Sequence, residues 1–197
     1  MKLTGVILAG GSNRRFPVPK GLVRIGEQRL IERLLEIHKS LFDEVIISTN
    51  TPELYVQYDV RLIGDIYPSL GPIVGIYSSL MNASHDGIFV TPCDTPFIGR
   101  ELIEYMMRVH EGEPIVVCRH RGIIHPLIGI YTKEILENME NAIITGRTRI
   151  IDFLEDVKTR ILTEEELVHI DPEGRGFINI NTPEEFKKHI GGRICLD

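Results

Sequence analysis

The sequence of 197 residues predicts an α/β fold, a three-layer sandwich in which helices cover both faces of a mostly parallel β-sheet. Short apolar, β-branched runs alternate along the chain with segments of helical periodicity, and this alternation is typical of strand–helix units. The apolar runs are continuous rather than alternating, as is usual for strands that are buried on both faces of a parallel sheet. We therefore expect right-handed crossovers between successive parallel strands.

Five apolar runs are predicted to be strands of this sheet. They comprise residues 3–9, 44–48, 60–63, 87–91 and 114–118. A sixth run, 122–131, contains Pro126. Because proline lacks a backbone N–H, this run suits an edge or bulged strand better than a central one.

Helical periodicity marks the segments between and after the strands. Segment 29–39 places its apolar residues on one face, opposite Glu32, Arg33 and Glu36. The other predicted helices comprise residues 72–82, 100–110, 132–144 and 148–156.

A last helix is expected to begin at Thr182. Residues 182–185 (Thr-Pro-Glu-Glu) form a capping box with proline at the first helical position. The sequence contains no linker, repeat or low-complexity stretch. We therefore expect residues 1–197 to form a single domain.

Composition and charge narrow the classes of function. The net charge of −6 argues against a general nucleic-acid or membrane-surface binder, since such proteins are usually basic. Against this acidic background, Arg14, Arg15, Lys20 and Arg24 form a local basic cluster. The three cysteines lack C-x-x-C spacing, which favours a reducing cytoplasm over a disulfide framework or a zinc knuckle. Without a transmembrane-length run or a signal peptide, the protein is expected to be cytoplasmic.

Glycine, amide and carboxylate residues follow the first four predicted strands. Gly10 and Gly11 come after the first strand, Asn50 after the second, Asp65 after the third and Asp94 after the fourth. In open α/β sheets, ligands bind in the crevice beyond the carboxyl ends of the strands. The sequence therefore predicts that these residues meet at one edge of the sheet and form a ligand site there.

The chemistry of this edge suits a nucleoside triphosphate. Two adjacent glycines let backbone N–H groups approach phosphate oxygens closely. Arg15 and Lys20 can neutralise a triphosphate, and Asp94 is a natural ligand for Mg²⁺, which usually takes one or two carboxylates plus phosphate oxygens. The chain has neither a P-loop motif nor G-x-G-x-x-G after the first strand, which argues against the two familiar nucleotide loops.

Each of these residues also has a structural interpretation. Gly10-Gly11 could form a tight turn only, and Asp65 and Asp94 could cap helices or turns. Cys93 is interpreted as a small buried apolar residue rather than a nucleophile. His125 lies in an apolar stretch, where a hydrogen-bonded structural histidine remains an alternative to a ligand-binding one.

The motifs identify a resemblance to a known family. Residues 8–11 (Leu-Ala-Gly-Gly), followed by Arg15 and Lys20, resemble the L-A-G-G-x-x-x-R-x-G-x-D-K motif of the molybdenum cofactor guanylyltransferases, often called MobA. Four further motifs of that family follow in order: G-P-I-V-G at 71–75, C-D-T-P-F at 93–97, H-P-L at 125–127 and N-I-N-T-P-E-E at 179–185. The chain departs from the pattern at Pro17 and Pro19, which replace the usual glycine and aspartate before the lysine.

The resemblance implies a nucleotide-diphospho-sugar-transferase (Rossmann-like) fold and an enzyme that depends on Mg²⁺. It implies transfer of GMP from GTP to the terminal phosphate of molybdopterin, with release of pyrophosphate. It also implies a nucleotide-binding set, in which Asp94 is the metal ligand: Leu8, Ala9, Gly10, Gly11, Lys20, Asn50, Asp65 and Asp94. Asn179 and Asn181 are implied to bind the acceptor. Gly10 favours guanine, because related cytidylyltransferases have L-A-A-G in this loop.

The catalytic residues expected from the residues and the resemblance together are Lys20, Arg15 and Asp94. The expected partners are GTP and molybdopterin, with transient contact to molybdoenzymes or their chaperones. Two alternatives remain open at the level of the sequence. The chain could be a sugar-1-phosphate or cytidylyl-type transferase of the same fold, or a non-catalytic protein that binds GTP and the molybdenum cofactor for delivery.

Overall fold

The fold is known from a computed structural model that describes residues 1–10, 19–68, 70–180, 182 and 185. Among these residues, nine strands form a seven-stranded sheet and a separate two-stranded hairpin, β2–β3. The strands are β1 (Thr4–Leu8), β2 (Arg24–Ile25), β3 (Gln28–Arg29), β4 (Val45–Ser48), β5 (Arg61–Ile63), β6 (Gly87–Pro92), β7 (Ile115–His120), β8 (Ile123–Thr132) and β9 (Thr159–Leu162). The order in the large sheet is β5-β4-β1-β6-β8-β7-β9, and β8 is antiparallel to its two neighbours while the other pairings are parallel. The predicted mostly parallel sheet is confirmed.

The central strands end at the same level. Leu8, at the end of β1, lies opposite Ser48 in β4 and Pro92 in β6, and Ser48 in turn lies opposite Ile63 in β5. Because these four strands are parallel and in this register, the residues that follow them emerge side by side at one edge. We call this the carboxyl edge of the sheet.

Helices cover both faces of the sheet, which confirms the three-layer sandwich. They are α1 (Leu30–Leu41), α2 (Pro72–Asn82), α3 (Arg100–Val109), α4 (Leu136–Ile144), α5 (Ile150–Asp156) and the short α6 (Glu164–Leu167). Apolar residues of α1 and α3 pack in one core cluster, and those of α2, α4 and α5 pack in another. Neighbouring residues of β1 divide between the two, Ile7 in the first and Val6 in the second, as expected for a strand buried on both faces.

The predicted helices are confirmed with small changes at their ends. The predicted segment 132–144 begins with a 3₁₀ turn, Lys133–Ile135, before α4. At the predicted last helix, the Glu185 N–H donates to Thr182 Oγ1 at 3.1 Å, the bond expected for a threonine cap. The rest of that helix lies outside the described residues.

Strand β8 corrects one prediction and confirms another. The run with Pro126 is not at an edge, since β8 lies between β6 and β7. It is bulged, however, because Val117 pairs with Gly129 whereas the next residue, Cys118, pairs with His125. Residues 126–128 are therefore left out of the β7–β8 ladder, and this bulge accommodates a proline that has no N–H to donate.

Strand β9 is an addition that the sequence did not predict. It pairs in parallel with β7 at an end of the sheet, and three of its four residues are only half-buried. Such a short, partly exposed strand lacks the continuous apolar run by which the other parallel strands are recognisable.

Candidate active site

A cavity of about 310 Å³ opens at the carboxyl edge of the sheet. It is lined by the residues that follow four strands: Asp65 after β5, Asn50 after β4, Gly10 after β1 and Asp94 after β6. The structure therefore brings together the groups that the sequence places at successive strand ends. Leu8 and Ala9, at the end of β1, also line this cavity.

Backbone hydrogen bonds continue the sheet beyond the strand ends. The Ala9 N–H donates to the Ser48 carbonyl at 2.8 Å, and the Thr49 N–H donates to the Ile63 carbonyl at 2.8 Å. On the other side of β1, the Cys93 N–H donates to the Leu8 carbonyl at 3.0 Å. These bonds fix the backbone on both sides of the end of β1, at the base of the cavity.

Asn50 and Asp65 form a reciprocal pair. Asn50 Nδ2 donates to Asp65 Oδ2 at 2.7 Å, and the Asp65 N–H donates to Asn50 Oδ1 at 2.8 Å. Because the Asn50 side chain donates through its nitrogen and accepts through its oxygen, these two bonds fix its orientation together with that of the Asp65 carboxylate. This wall of the cavity thus presents a carboxylate that is held in place before any ligand binds.

Helix α2 begins beside this pair and approaches the sheet closely. A Cβ atom added at Gly75 would lie 3.1 Å from Ser48 Oγ and 3.7 Å from Asp65 Oδ1. Gly71, directly before the first residue of α2, has a φ of 102°, a backbone angle that residues with a side chain rarely adopt. The two glycines therefore leave room at the cavity wall that larger residues would fill.

Lys20 and Asp94 form an ion pair on the opposite wall. Lys20 Nζ lies 2.9 Å from Asp94 Oδ2, and the two side chains are 22% and 16% exposed. Lys20 begins a 3₁₀ turn, Lys20–Leu22, in which Gly21 packs close to Tyr55. The cavity therefore has a cation and a carboxylate in contact, sheltered from water but open to a ligand.

The chemistry of this wall fits a magnesium ion that is shared with a substrate. In the part of the chain that the structure describes, no three His, Cys, Asp or Glu side chains cluster to form a metal cage. Mg²⁺ does not require such a cage, because it commonly binds one or two carboxylates together with waters and substrate phosphates. Asp94 provides a carboxylate of that kind.

Cys93 and His125 both take part in packing in the structure. Cys93 is buried, and burial followed by the neighbouring Asp94 charge raises the pKa of its thiol to about 12. It is therefore neutral at physiological pH and unsuited to act as a nucleophile. The His125 ring lies 4.8 Å from that of Phe177, and burial lowers its pKa.

Asn179 and Leu127 also line the cavity. The chain next to Asn179 is tied to the Asp94 turn, since the Ile180 N–H donates to the Asp94 carbonyl at 2.9 Å. Leu127 comes from the bulge in β8. Sequence reasoning did not assign Leu127, Ser48 or Thr49 to the site, although the position of Ser48 and Thr49 directly before Asn50 is a signal that could have found them.

Three predicted site residues, Gly11, Arg15 and Asn181, lie outside the described residues. Every other predicted site residue lines the one cavity. None of the helices in the described part of the chain combines the length and apolarity needed to cross a bilayer.

A glycine-lined cavity at the carboxyl edge of a parallel sheet, with a lysine–aspartate pair in its wall, is typical of nucleotide-binding α/β proteins. Comparison with known families narrows this class. The model of the MobA-like NTP transferase domain matches residues 5–160, well over half of the chain. The chain belongs to this family and is a nucleotidyltransferase.

Individual relatives resemble nearly the whole chain. A relative from Pelotomaculum thermopropionicum is 35% identical over 188 residues, covering 95% of this chain and 92% of the relative. The molybdenum cofactor guanylyltransferase of Desulfosudis oleivorans is 34% identical over 188 residues, covering 94% and 93%. The crystal structure of molybdopterin-guanine dinucleotide biosynthesis protein A from Archaeoglobus fulgidus matches with a TM-score of 0.84 at 26% identity, covering 96% and 97%. This match confirms the nucleotide-diphospho-sugar-transferase fold.

Proposed function

We propose that this protein transfers GMP from GTP to the terminal phosphate of molybdopterin, forming the guanine-dinucleotide form of the molybdenum cofactor and releasing pyrophosphate. The observation that carries the proposal is the gathering of the Lys20–Asp94 pair, the Asn50–Asp65 pair and Asn179 around one cavity. The similarity to molybdenum cofactor guanylyltransferases supports this choice of substrates.

The nucleotide occupies the half of the cavity nearest β5, β4 and β1. Leu8, Ala9 and Gly10 contact the nucleotide, and Gly11, the next residue in the sequence, adds a backbone N–H for phosphate. The side chains of Asn50 and Asp65 contact the nucleoside. Their mutual hydrogen bonds support this role, because a site whose groups are already oriented loses less entropy when the ligand binds.

Catalysis rests on Lys20, Arg15 and Asp94. The acceptor phosphate oxygen attacks the α-phosphorus of GTP, and the bond from that phosphorus to the β-bridging oxygen breaks as pyrophosphate leaves with the electron pair. Lys20 and Arg15 offset the charge on the phosphates, which is the main task of the protein in phosphoryl-type transfer. A general base is not required, since a phosphate nucleophile is already ionised at neutral pH.

Asp94 is the residue proposed to hold Mg²⁺. When bound, the ion neutralises negative charge on the phosphate oxygens of the nucleotide. Among the described residues no metal cage of three side chains forms, so the Asp94 carboxylate suits an arrangement in which the substrate completes the coordination.

The acceptor occupies the other half of the cavity, with Asn179 and Asn181 as its ligands. Asn179 lies next to the Ile180–Asp94 hydrogen bond, which supports a position close to the reacting phosphate. We further propose that the reaction takes place in the cytoplasm and that the product passes to molybdoenzymes or their chaperones by transient contact.

A pyrophosphate-release assay tests the proposal. The purified chain is incubated with molybdopterin, Mg²⁺ and each of the four nucleoside triphosphates, and GTP is expected to give the fastest release. Omitting molybdopterin, or removing the metal with a chelator, should abolish release. Release with glucose 1-phosphate instead of molybdopterin would favour a sugar-nucleotide enzyme, and GTP binding without release would favour a delivery protein.

A further inference from the structure

The loop 171–180 forms a strap across the carboxyl edge of the sheet, between α6 and the cavity. Its first part is tied by Asp171, whose carboxylate accepts hydrogen bonds from the N–H groups of Arg175 at 2.9 Å and Gly176 at 2.7 Å. Its end is tied by the buried Ile180, through the hydrogen bond to the Asp94 carbonyl. The strap therefore has a defined path that ends beside the proposed metal ligand.

The middle of the strap is anchored by Phe177, which is 6% exposed. Its ring stacks on His120 of β7 with centroids 5.1 Å apart and contacts His125 of β8 at 4.8 Å. Gly174 permits this contact, since a Cβ atom there would clash with the His120 ring. Phe177 thus holds the strap against the β7–β8 hairpin at the point where β8 bulges.

The two segments that meet at this contact, the strap and β8, both continue into the cavity wall. Asn179 follows Phe177 by two residues, and Leu127 follows His125 by two residues. Both Asn179 and Leu127 line the cavity. The contact between the Phe177 and His125 rings therefore joins the two segments that carry these wall residues.

We propose that Phe177, seated between His120 and His125, is a positioning residue that sets the width of the acceptor end of the cavity. Phe177 acts through Asn179 and Leu127. This inference rests on the proposed function, in which Asn179 binds the acceptor. It predicts that a change at Phe177 affects the acceptor and leaves GTP binding unchanged, because Asn50 and Asp65 are held independently by β4 and β5.

The test compares Phe177→Leu with the matched control Phe42→Leu. Phe42 is also 6% exposed and also contacts a histidine and an aromatic ring, His38 at 5.3 Å and Phe89 at 5.9 Å. It follows α1 and precedes β4, at the opposite edge of the sheet. The two variants lose similar packing, so a general loss of stability should affect both equally.

Three measurements are made on each variant. In the pyrophosphate assay, Phe177→Leu is expected to raise the KM for molybdopterin by about tenfold, as misplacement of substrate-binding groups does, with the Kd for GTP by calorimetry unchanged. Hydrogen–deuterium exchange of the strap amides is expected to speed up in this variant. Phe42→Leu should leave all three quantities as in the wild type.

The outcomes separate this inference from the proposed function. An unchanged molybdopterin KM, or a GTP Kd that rises by the same factor, overturns the positioning role of Phe177. Unchanged exchange in the strap overturns its seating on the two histidines. If the wild-type chain releases no pyrophosphate with molybdopterin, the proposed function fails, and the exchange measurement still decides whether Phe177 seats the strap.

Discussion

The two edges of the large sheet use polar side chains in opposite ways. At the amino edge, the carboxylate of Glu44 accepts hydrogen bonds from Thr4 Oγ1 at 2.6 Å, from the Ser84 N–H at 2.9 Å and from Arg61 at 3.1 Å. At the carboxyl edge, Asp65 and Asp94 pair with one neighbouring side chain each while they line a cavity. The first arrangement links strands to one another, and the second leaves polar groups available to a ligand.

This difference shows how a single sheet separates stability from binding. Burial alone would raise the pKa of Glu44, but its hydrogen bonds from Thr4, Ser84 and Arg61 lower it to about 2. A carboxylate that is satisfied in this way contributes to the folded state and has little capacity to bind anything else. The parallel strands place their amino ends at one edge and their carboxyl ends at the other, so the two tasks do not compete.

The largest expected effect distinguishes the two edges by activity. Asp94→Ala and Lys20→Ala should each reduce turnover by about 10²–10³, since each removes a charge from the proposed reaction centre. Glu44→Gln should leave turnover unchanged and lower the Tm. Steady-state kinetics and thermal unfolding of the three variants provide the measurement. Near-wild-type turnover of Asp94→Ala would show that this carboxylate has no part in the reaction.

A smaller effect is expected from filling space beside the Asn50–Asp65 pair. Gly75→Ala places a methyl group 3.1 Å from Ser48 Oγ and 3.4 Å from a methyl carbon of Leu8, where the nucleotide is proposed to bind. We expect the Kd for GTP to rise about tenfold, or about 1.4 kcal/mol. The gain in helix propensity offsets part of the strain, so the Tm should change little. Calorimetry that finds an unchanged Kd would place the nucleotide away from α2.

A third expected effect is on the acid stability of the folded protein. The ordinary pKa of Glu44 is 4.5, and in the folded protein it is about 2, so the unfolded chain takes up the proton first and stability falls between these values. Burial lowers the pKa of His38 from 6.5 to about 3, so this residue also costs stability as the pH falls below 6.5. Urea unfolding from pH 7 to pH 2.5 should show both losses.

Glu44→Gln sharpens this measurement. Below pH 4.5, the variant should reduce the slope of the free energy of unfolding against pH by at most about 1.4 kcal/mol per pH unit. The loss of stability between pH 6.5 and pH 4.5 should stay unchanged. A variant whose profile below 4.5 matches that of the wild type would show that Glu44 is not the group that titrates there.

Much of the fold could be predicted because its signals are local. Continuous apolar runs such as 87–91 identify buried strands, and helical spacing identifies α1 and α2 without reference to the rest of the chain. The order of the strands is not local. Nothing in residues 122–131 indicates that they insert between β6 and β7, and the short β9 is a strand only because β7 lies beside it.

The same distinction between local signals and distant contacts applies to the site. The residue types beyond each strand predicted which groups meet, and Asn50, Asp65 and Asp94 do line one cavity. The partners within that set could not be predicted, because the Lys20–Asp94 contact joins residues 74 positions apart through a packing that the sequence does not encode locally. Leu127 enters the wall because of the bulge, whose size depends on register. The roles of all the predicted site residues, and the single-domain assignment, stay predictions.

The antiparallel direction of β8 has a consequence for how the molecule folds. Because β7 and β8 are joined by the short turn after His120, their ladder closes between residues near in sequence, whereas β1 pairs with β6 across about eighty residues. Local pairings form faster than distant ones, since less chain entropy is lost in closing the loop. The β7–β8 hairpin is therefore expected to form early and to dock on β6 as a unit. The part of the cavity wall that β8 contributes through Leu127 would then be formed before docking.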